Sequence, residues 1–340
     1  MIDALTGAVA DACARHTTDP DTPAELNAPL WEALDQIGVL GLGVDEEKGG
    51  SGGGLEELVA VLGVLGENAA AVPFAETGLA AWILAEAGVQ VPEGRLTVAV
   101  SDGLEVATGT DGTVEVSATL PRVPWGEAAE HVVVLSGTTL AVVARDQYQV
   151  TSAQNMAGEP RDTLVLAGAR PVGGQTWPVP AGLTQAHEQR LSVLRMAQMA
   201  GAARRALDLS VHYASERQQF GRSIDRFQSV QHQLASLASE VLVCRTAAKS
   251  ASLALTRGDA TFALAAARVA AAQAAGVVAK LAHQVHGAIG FTEEHTLRLS
   301  TTRLWAWRDE NGSVHQHASL VGQQALDAGP DSLWDLLVRA

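Results

Sequence analysis

Two segments in the C-terminal half carry most of the information in this sequence. They are Arg217-Gln-Gln-Phe-Gly221 and, about 67 residues later, Gln284-Val-His-Gly-Ala-Ile-Gly-Phe291. In the second segment we expect a long helix to end at Gly287, a turn through Gly290, and Thr292 as the N-cap of the next helix. Two interpretations stay open from these residues alone. One is a structural corner between helices, and the other is a place where a ligand approaches the backbone and helix N–H groups meet an anion.

The stretch from residue 190 to residue 226 is basic, whereas the whole chain has a formal net charge of −15. Its arginines outnumber its acidic residues, and a guanidinium group matches phosphate with two parallel hydrogen bonds. The stretch therefore indicates an anion site, although a solvated helix face with intrachain ion pairs explains the same charges. The arginines are Arg190, Arg195, Arg204, Arg205, Arg217, Arg222 and Arg226.

Outward from these segments, the sequence pattern changes twice. Residues 1–93 have apolar side chains at helical spacing, and residues 94–182 have short β-branched runs separated by Gly, Asp, Pro and Thr. Residues 183–340 return to long, Ala-rich helical runs that predict a bundle. We therefore predict an α+β fold with an N-terminal α-helical domain, a small antiparallel β-barrel or sandwich as the middle domain, and a C-terminal helical bundle domain.

The C-terminal runs predict three long helices, at Leu191–Arg217, Gln228–Arg257 and Asp259–His286. Asp259 is the expected N-cap of the third, because it follows Gly258 at the end of the preceding run. The abundant alanine lets such helices approach closely, either within a tight bundle or at an oligomer interface.

Composition excludes several classes of protein. The chain has 340 residues, is acidic, and is only 4% aromatic, which disfavours nucleic-acid binding. The apolar run Ala263–Val278 is interrupted by Arg268 and Gln273, so we predict no membrane span. Cys13 and Cys244 do not make a disulfide framework, and no signal peptide is evident at the start. We expect a soluble, cytoplasmic protein.

Two further patterns do not predict a site. Gly49–Gly54 is glycine-rich but lacks the Lys-Ser/Thr of a phosphate-binding loop and does not follow a strand, so we interpret it as a flexible loop between helices. The pairs His283/His286 and His315/His317 lack a Cys or carboxylate arrangement that completes a metal site, and we predict no metal.

Together, the two C-terminal segments resemble the flavin-dependent acyl-CoA dehydrogenase family. Its C-terminal four-helix-bundle domain carries an Arg-x-x-Phe-Gly string followed by Gln-x-x-Gly-x-x-Gly-Phe/Tyr. The stretch Gly38–Gly50 is similar to the family's first-domain motif, and the helical–β–helical order agrees. The resemblance implies α,β-dehydrogenation of an acyl-CoA thioester with FAD as hydride acceptor, in a hetero- or homo-tetramer with another chain of the family.

The resemblance also implies roles for particular residues. Arg217 would contact the FAD pyrophosphate, Phe220 and Gln228 would lie near the adenosine half, and Gln284–Ala288 would line the other side, on the FAD of a neighbouring subunit. The implied cofactor-binding residues are Arg217, Phe220, Gly221, Gln228, Gln284, Val285, His286, Gly287 and Ala288.

The sequence departs from the family pattern at the catalytic base. The position that holds a glutamate in many members is occupied by Asn311, and an amide does not take the α-proton. Glu310 is the remaining carboxylate candidate, one residue and about 100° away on a helix. A second base position used by some members falls near Leu191, and Glu188 is almost a full turn from it.

The β region departs as well. Members carry a Thr-Glu/Pro-x-x-Gly-Ser-Asp string that holds the flavin ring and the thioester, and residues 96–180 contain no equivalent. The turn-rich stretch Asn155–Arg161 is interpreted as structural.

This combination resembles the smaller, degenerate subunit of actinobacterial α2β2 acyl-CoA dehydrogenases, several of which act on steroid side-chain thioesters. The leading hypothesis is such a subunit, with a partner chain supplying the base. The alternatives are a complete homo-oligomeric dehydrogenase with Glu310 as base, and a non-enzymatic helical scaffold that has lost flavin.

Overall fold

The chain forms two compact units in the computed structural model. The first comprises residues 1–21, 59–70 and 192–340, and the second comprises residues 22–58 and 71–191. The order of elements is helical, then β, then helical, which confirms the predicted α+β fold class. The structure describes residues 2–19, 22, 25–258 and 260–339.

Four α-helices precede the strands among the residues that the structure describes. The second has well-defined ends: the side chain of Asn27 accepts a hydrogen bond from the backbone N–H of Leu30, and Gly38 terminates the helix with φ of 81°. Pro73 is the N-cap of the fourth. The helices are α1 (Ile2–Arg15), α2 (Ala28–Ile37), α3 (Leu55–Glu67) and α4 (Phe74–Glu86).

The strands form two four-stranded sheets in the second unit, with orders β1-β4-β5-β8 and β2-β3-β7-β6. Alternate apolar residues of both sheets meet in one core, including Val132 and Val143 from the first sheet and Leu120 and Leu164 from the second. The strands are β1 (Leu96–Val100), β2 (Glu105–Thr108), β3 (Val114–Pro124), β4 (His131–Ser136), β5 (Thr139–Ala144), β6 (Gln149–Thr151), β7 (Arg161–Ala169) and β8 (Trp177–Pro178).

The prediction of a purely antiparallel β region was wrong at one pair. β1 and β4 run parallel, with Leu96 beside His131 and Val100 beside Leu135. The intervening β2 and β3 belong to the other sheet, so the chain returns to the first sheet in the same direction.

Long helices dominate the first unit, and a short β-hairpin with strands of two residues each separates α5 (Leu183–Glu216) from α6 (Gln228–Arg257). Two predicted helices have almost the expected bounds, because each is closed by a glycine, Gly258 or Gly287. Asp259 lies outside the described residues. The elements are α5 (Leu183–Glu216), β9 (Gln218–Gln219), β10 (Arg222–Ser223), α6 (Gln228–Arg257), α7 (Thr261–His286), α8 (Leu297–Asp309) and α9 (Val314–Arg339).

The predicted N-cap at Thr292 was wrong. Thr292 closes the short 3-10 helix Gly287–Phe291, and α8 begins five residues later with Thr296 as its N-cap. The turn between the two helices is therefore longer than the sequence suggested.

Helices α3 and α5 pack backbone against backbone inside the first unit. A Cβ added at Gly201 would lie 1.9 Å from the carbonyl oxygen of Gly63, and one added at Gly66 would lie 2.3 Å from the carbonyl oxygen of Gln198. Only glycine permits this approach, because any side chain would overlap the neighbouring backbone.

Helix α7 is the core helix of the first unit. The segment Thr261–Phe291 is long and apolar enough to cross a membrane, but 61% of its most apolar window is buried inside the fold. Its apolar character follows from contacts with α6, α8 and α9.

The glycine-rich segment Gly49–Gly54 is a loop between helices, as predicted. It is held by backbone hydrogen bonds from Gly52 to Val44 and from Gly43 to Gly52. A Cβ at Gly50 would lie 2.0 Å from the carbonyl oxygen of Val44, so the glycine is required by close packing.

Candidate functional site

The first segment forms an exposed β-hairpin at the end of α5. Phe220 and Gly221 occupy its two turn positions with φ of 52° and 78°, and a type I′ turn needs positive φ at both. Phe220 is 91% exposed, and its ring makes an edge contact with that of Phe227, with the centroids 6.1 Å apart. A bulky aromatic residue in a strained conformation and in water is typical of a ligand-contacting position.

Arg217 connects this hairpin to α5. Its backbone N–H donates to the carbonyl of Tyr213 at 2.9 Å, and its carbonyl accepts from Ile224 at 2.8 Å, while its side chain is exposed. Gln228, also exposed, begins α6 without a side-chain cap. An exposed guanidinium and uncapped helix N–H groups are chemically suited to an anion.

Three other arginines of the basic stretch do not join this surface, whereas Arg222 is part of the hairpin itself and lies over the ring of Phe227 at 4.2 Å. Arg190 lies over the ring of Trp82 at 4.9 Å and donates to the carbonyl of Gly43. Arg195 is 4% exposed, and Arg204 pairs with Asp208 at 2.8 Å. These three arginines therefore fit the alternative interpretation of intrachain contacts, because helical periodicity turns their side chains in different directions.

The second segment divides into buried and exposed parts. Gln284, Gly287 and Ala288 are exposed, and Gly287 ends α7 with φ of 65°. Val285 and His286 are 6% and 3% exposed and point into the bundle, so their side chains do not present a ligand surface. Of the residues expected to line a cofactor, these two have side chains that are buried inside the bundle.

The two segments meet through stacked rings. The ring of Tyr213 on α5 stacks on that of His286 at 4.7 Å, and His295 contacts His286 edge-on at the same distance. One turn earlier on α7, His283 stacks on Phe291 at 4.2 Å. The fold therefore brings together segments that are far apart in the sequence.

The region expected to hold the base is a turn, not a helix. Glu310 caps the C-terminus of α8 with extended backbone, and Asn311 and Gly312 follow in the left-handed region with φ of 58° and 96°. The expected separation of 100° around a helix was therefore wrong. The carbonyl of Asn311 lies 3.0 Å from Nε2 of His317, which fixes the turn against α9.

The carboxylate of Glu310 is engaged in a buried ion pair. Its Oε2 lies 3.2 Å from Nε of Arg195, and the two side chains are 13% and 4% exposed. The carbonyl of Glu310 accepts a hydrogen bond from Arg268, which also donates to the carbonyls of Trp307 at 2.6 Å and Arg308 at 3.2 Å. Arg268 therefore caps the C-terminus of α8 from inside the bundle.

Arg268 is 1% exposed. Burial, with a further contribution from the neighbouring Arg195, lowers the pKa of Arg268 to about 10. The guanidinium stays charged at neutral pH, since that value is well above 7. We refer to Arg195, Glu310 and Arg268 together as the ion cluster.

The β region shows a self-contained turn where the sequence suggested a structural loop. The side-chain oxygen of Asn155 accepts hydrogen bonds from the backbone of Ala157 and Glu159, and its side-chain nitrogen donates to the Glu159 carboxylate.

Among the residues that the structure describes, no group of three His, Cys, Asp or Glu side chains is arranged to hold a metal ion.

Residues 1–91 match the acyl-CoA dehydrogenase N-terminal domain, and residues 181–309 match the acyl-CoA dehydrogenase C-terminal domain. The chain belongs to the acyl-CoA dehydrogenase family. It is 32% identical over 296 residues to the acyl-CoA dehydrogenase IpdE2 of Mycolicibacterium smegmatis, which covers 86% of this chain and 83% of the relative.

Solved structures of the same family agree with this assignment. A chain of the ChsE4–ChsE5 complex from Mycobacterium tuberculosis is 25% identical with a TM-score of 0.81, over 97% of this chain and 98% of that chain. Butyryl-CoA dehydrogenase from Megasphaera elsdenii shares the fold with a TM-score of 0.84 at 18% identity, over 96% and 98% of the two chains.

Acyl-CoA dehydrogenases are FAD-dependent, and the residues present fit one part of that cofactor. The exposed Arg217, the free ring of Phe220 and the exposed amide of Gln284 offer a cation, a stacking surface and a hydrogen-bonding group. These groups are suited to a pyrophosphate and an adenosine. The part that holds the flavin ring in the family has no counterpart string in the β region.

Sequence reasoning missed the ion cluster and the stacked rings. Arg268 interrupts an apolar, Ala-rich helix, and a lone cation at such a position signals a buried partner. The sequence did not indicate that Glu310 is the partner of Arg268, because the turn after α8 brings the two residues together. His295 carried no signal, since it lies in a turn without periodicity.

Proposed function

We propose that this chain is the non-catalytic subunit of a hetero-oligomeric acyl-CoA dehydrogenase. The complex dehydrogenates an acyl-CoA thioester of the fatty-acid or steroid side-chain type between its α and β carbons, in the cytoplasm. This chain supplies the bundle half of an interfacial FAD site, through Arg217 and its neighbours, and the partner chain supplies the base. The observation that carries the proposal is the ion pair between Arg195 and Glu310.

The reaction needs a free carboxylate over the α-carbon. An α-C–H bond is a very weak acid, so the base must be unencumbered and the thioester oxygen must be hydrogen-bonded as negative charge develops. In this chain Asn311 has no proton-accepting carboxylate, and the carboxylate of Glu310 is held by Arg195. FAD, when bound, supplies the hydride acceptor that no side chain replaces.

The relatives support a two-chain assembly. The ChsE4–ChsE5 structure is a complex of two chains, and the similarity extends over 97% of this chain. A complex of two different chains tolerates the missing base in one of them, because the partner chain supplies the base at the site that the two chains share. The exposure of Phe220 and Arg217 supports retention of flavin contacts, and so weighs against a scaffold without cofactor.

Co-expression tests the proposal directly. We expect the chain purified alone to lack bound flavin and dehydrogenase activity, and to gain both when produced with a second acyl-CoA dehydrogenase chain that carries the base. Absorbance at about 450 nm, where the oxidised isoalloxazine chromophore absorbs, reports the cofactor. A yellow, fully active homo-oligomer of this chain alone would favour the Glu310 alternative, and no flavin even with the partner would favour the scaffold.

A further inference from the structure

Tyr213, His286 and His295, which we call the histidine stack, lie between the two segments proposed to contact FAD. We propose that the histidine stack positions the Gly287–Phe291 turn against Arg217, and that this arrangement holds only while both histidines are neutral. Flavin retention should then fall in mild acid. The inference rests on the proposed FAD interface and names positioning residues and a regulation for it.

The stack is connected to both segments by short links. The backbone carbonyl of Tyr213 accepts a hydrogen bond from the backbone N–H of Arg217 at 2.9 Å. The Tyr213 ring is therefore one helical turn from the start of the hairpin. His286 is the last residue of α7 and directly precedes Gly287. Because the rings of Tyr213 and His286 stack at 4.7 Å, displacement of either one moves the two segments relative to each other.

His286 has one ring nitrogen in a well-formed hydrogen bond. Its Nδ1 lies 2.8 Å from the carbonyl of Ala282, and since a carbonyl only accepts, Nδ1 carries the hydrogen. Its Nε2 is buried without a hydrogen bond of ordinary length, and the backbone of Leu209 on α5 favours the protonated ring less than burial disfavours it. Protonation would place a charged N–H group at Nε2 inside the bundle, where it is costly.

His295 is held in the opposite tautomer. Its Nδ1 accepts a hydrogen bond from the backbone N–H of Leu297 at 3.1 Å, at the first residue of α8. Protonation at Nδ1 turns this acceptor into a donor and removes a cap from the helix N-terminus. The positive end of the α8 dipole also disfavours a cation at this position.

Charged and titratable groups around the stack do not offset these costs. From α5 the Tyr213 ring and the backbone of Leu209 face His286, and from α7 its neighbour is His283, whose ring stacks on Phe291. In the turn before α8, Glu293 and Glu294 are exposed, and Arg298 on α8 donates to the carbonyl of Glu293. The facing side chains are therefore neutral rings.

The directions of the pKa shifts agree with this geometry. Burial lowers the pKa of His286, and the neighbouring His295 and His283 lower it further against the opposing effects of the Ala282 and Leu209 backbone. Burial also lowers the pKa of His295. The folded state thus prefers neutral rings, so its advantage is complete above about pH 6.5 and is lost as the pH falls below that value.

The test measures FAD affinity in the complex with the partner chain, by fluorescence titration with FAD at pH 8.0 and pH 5.5. For the wild type we expect the dissociation constant to be about tenfold higher at pH 5.5 than at pH 8.0, because protonation of the two histidines disrupts the stack that positions the FAD contacts. In His286→Phe and in His295→Asn, which keep a ring or a capping oxygen without a titrating proton, we expect this ratio to fall below about threefold. His315→Gln, at an exposed histidine on α9, should leave the ratio at the wild-type value.

Several results would overturn the inference. A flat ratio in the wild type contradicts it, as does a tenfold ratio that persists in both histidine variants, and either leaves the proposed function standing if FAD binds at pH 8.0. Absence of FAD binding at pH 8.0 contradicts the proposed function and this inference together. Two variants of Tyr213 test the stack independently of the histidine variants. Tyr213→Leu should weaken FAD binding about tenfold, whereas Tyr213→Phe, which keeps the ring, should have an FAD dissociation constant within about threefold of the wild type.

Discussion

The Nε atom of Arg195 lies 3.2 Å from Oε2 of Glu310, and the two side chains are almost fully withdrawn from water. Helix α5 supplies the cation, and the turn after α8 supplies the anion. In a family whose chemistry requires a free carboxylate, the carboxylate nearest the expected position serves as a counter-ion. This relationship separates the two enzymatic hypotheses.

Replacing Glu310 by glutamine tests which role the carboxylate has. If it is a counter-ion, Glu310→Gln leaves Arg195 without a buried anion and lowers the free energy of unfolding by about 3 kcal/mol. Turnover per folded complex then changes by less than about threefold. A base at Glu310 predicts the reverse, a loss of about a hundredfold or more in turnover with flavin retained. Urea unfolding and steady-state rates distinguish the two, with the exposed Glu294→Gln as control.

Removal of the Arg217 guanidinium should weaken flavin binding without affecting the fold. Its side chain is exposed, so Arg217→Gln should change the free energy of unfolding by less than about 0.5 kcal/mol. Loss of a charge-assisted hydrogen bond to pyrophosphate should raise the FAD dissociation constant of the complex about tenfold to a hundredfold. Arg205→Gln removes the same charge from an exposed site on α5 and should leave FAD affinity unchanged. Equal effects of the two variants would mean that only net charge matters.

The contact between α3 and α5 predicts opposite results at its two glycines. Gly201→Ala places a Cβ 1.9 Å from the carbonyl of Gly63, so the helices must separate, at a cost of about 3 kcal/mol or more in the free energy of unfolding. At Gly63 a Cβ meets nothing within 4 Å, and Gly63→Ala should be neutral or stabilise by up to about 1 kcal/mol. Thermal or urea unfolding of both variants measures this difference. Similar destabilisation in both would contradict the contact geometry.

Acid should destabilise the chain through His187 as well as through the histidine stack. Burial lowers the pKa of His187 to about 4, and the residue is only 6% exposed. An unfolded histidine takes its proton near pH 6.5, so the stabilisation is complete above that pH and falls as the pH drops toward 4. This group should account for about 3 kcal/mol of the loss in unfolding free energy between pH 7 and pH 4. His187→Leu should remove that share, whereas the exposed His232→Gln should not.

Much of the fold was readable because it depends on local patterns. Apolar spacing and terminating glycines located α6 and α7 almost to the residue, and short β-branched runs located the region that contains β1 to β8. The predictions that were wrong concern pairing and turns. The parallel pairing of β1 with β4 depends on where β2 and β3 go, and the start of α8 depends on a turn with no periodic signal.

By itself, the sequence determined the family, through two strings at a characteristic separation, and it has Asn311 where the resemblance implies the base. Both are properties of residue identity and spacing along one chain. Only the tertiary structure decided that Glu310 is the counter-ion of Arg195, that Arg268 caps α8, and that His286 is buried while Gln284 is exposed. Those outcomes depend on which helices pack together, because a charge or a ring acquires its role from neighbours that the linear order does not specify.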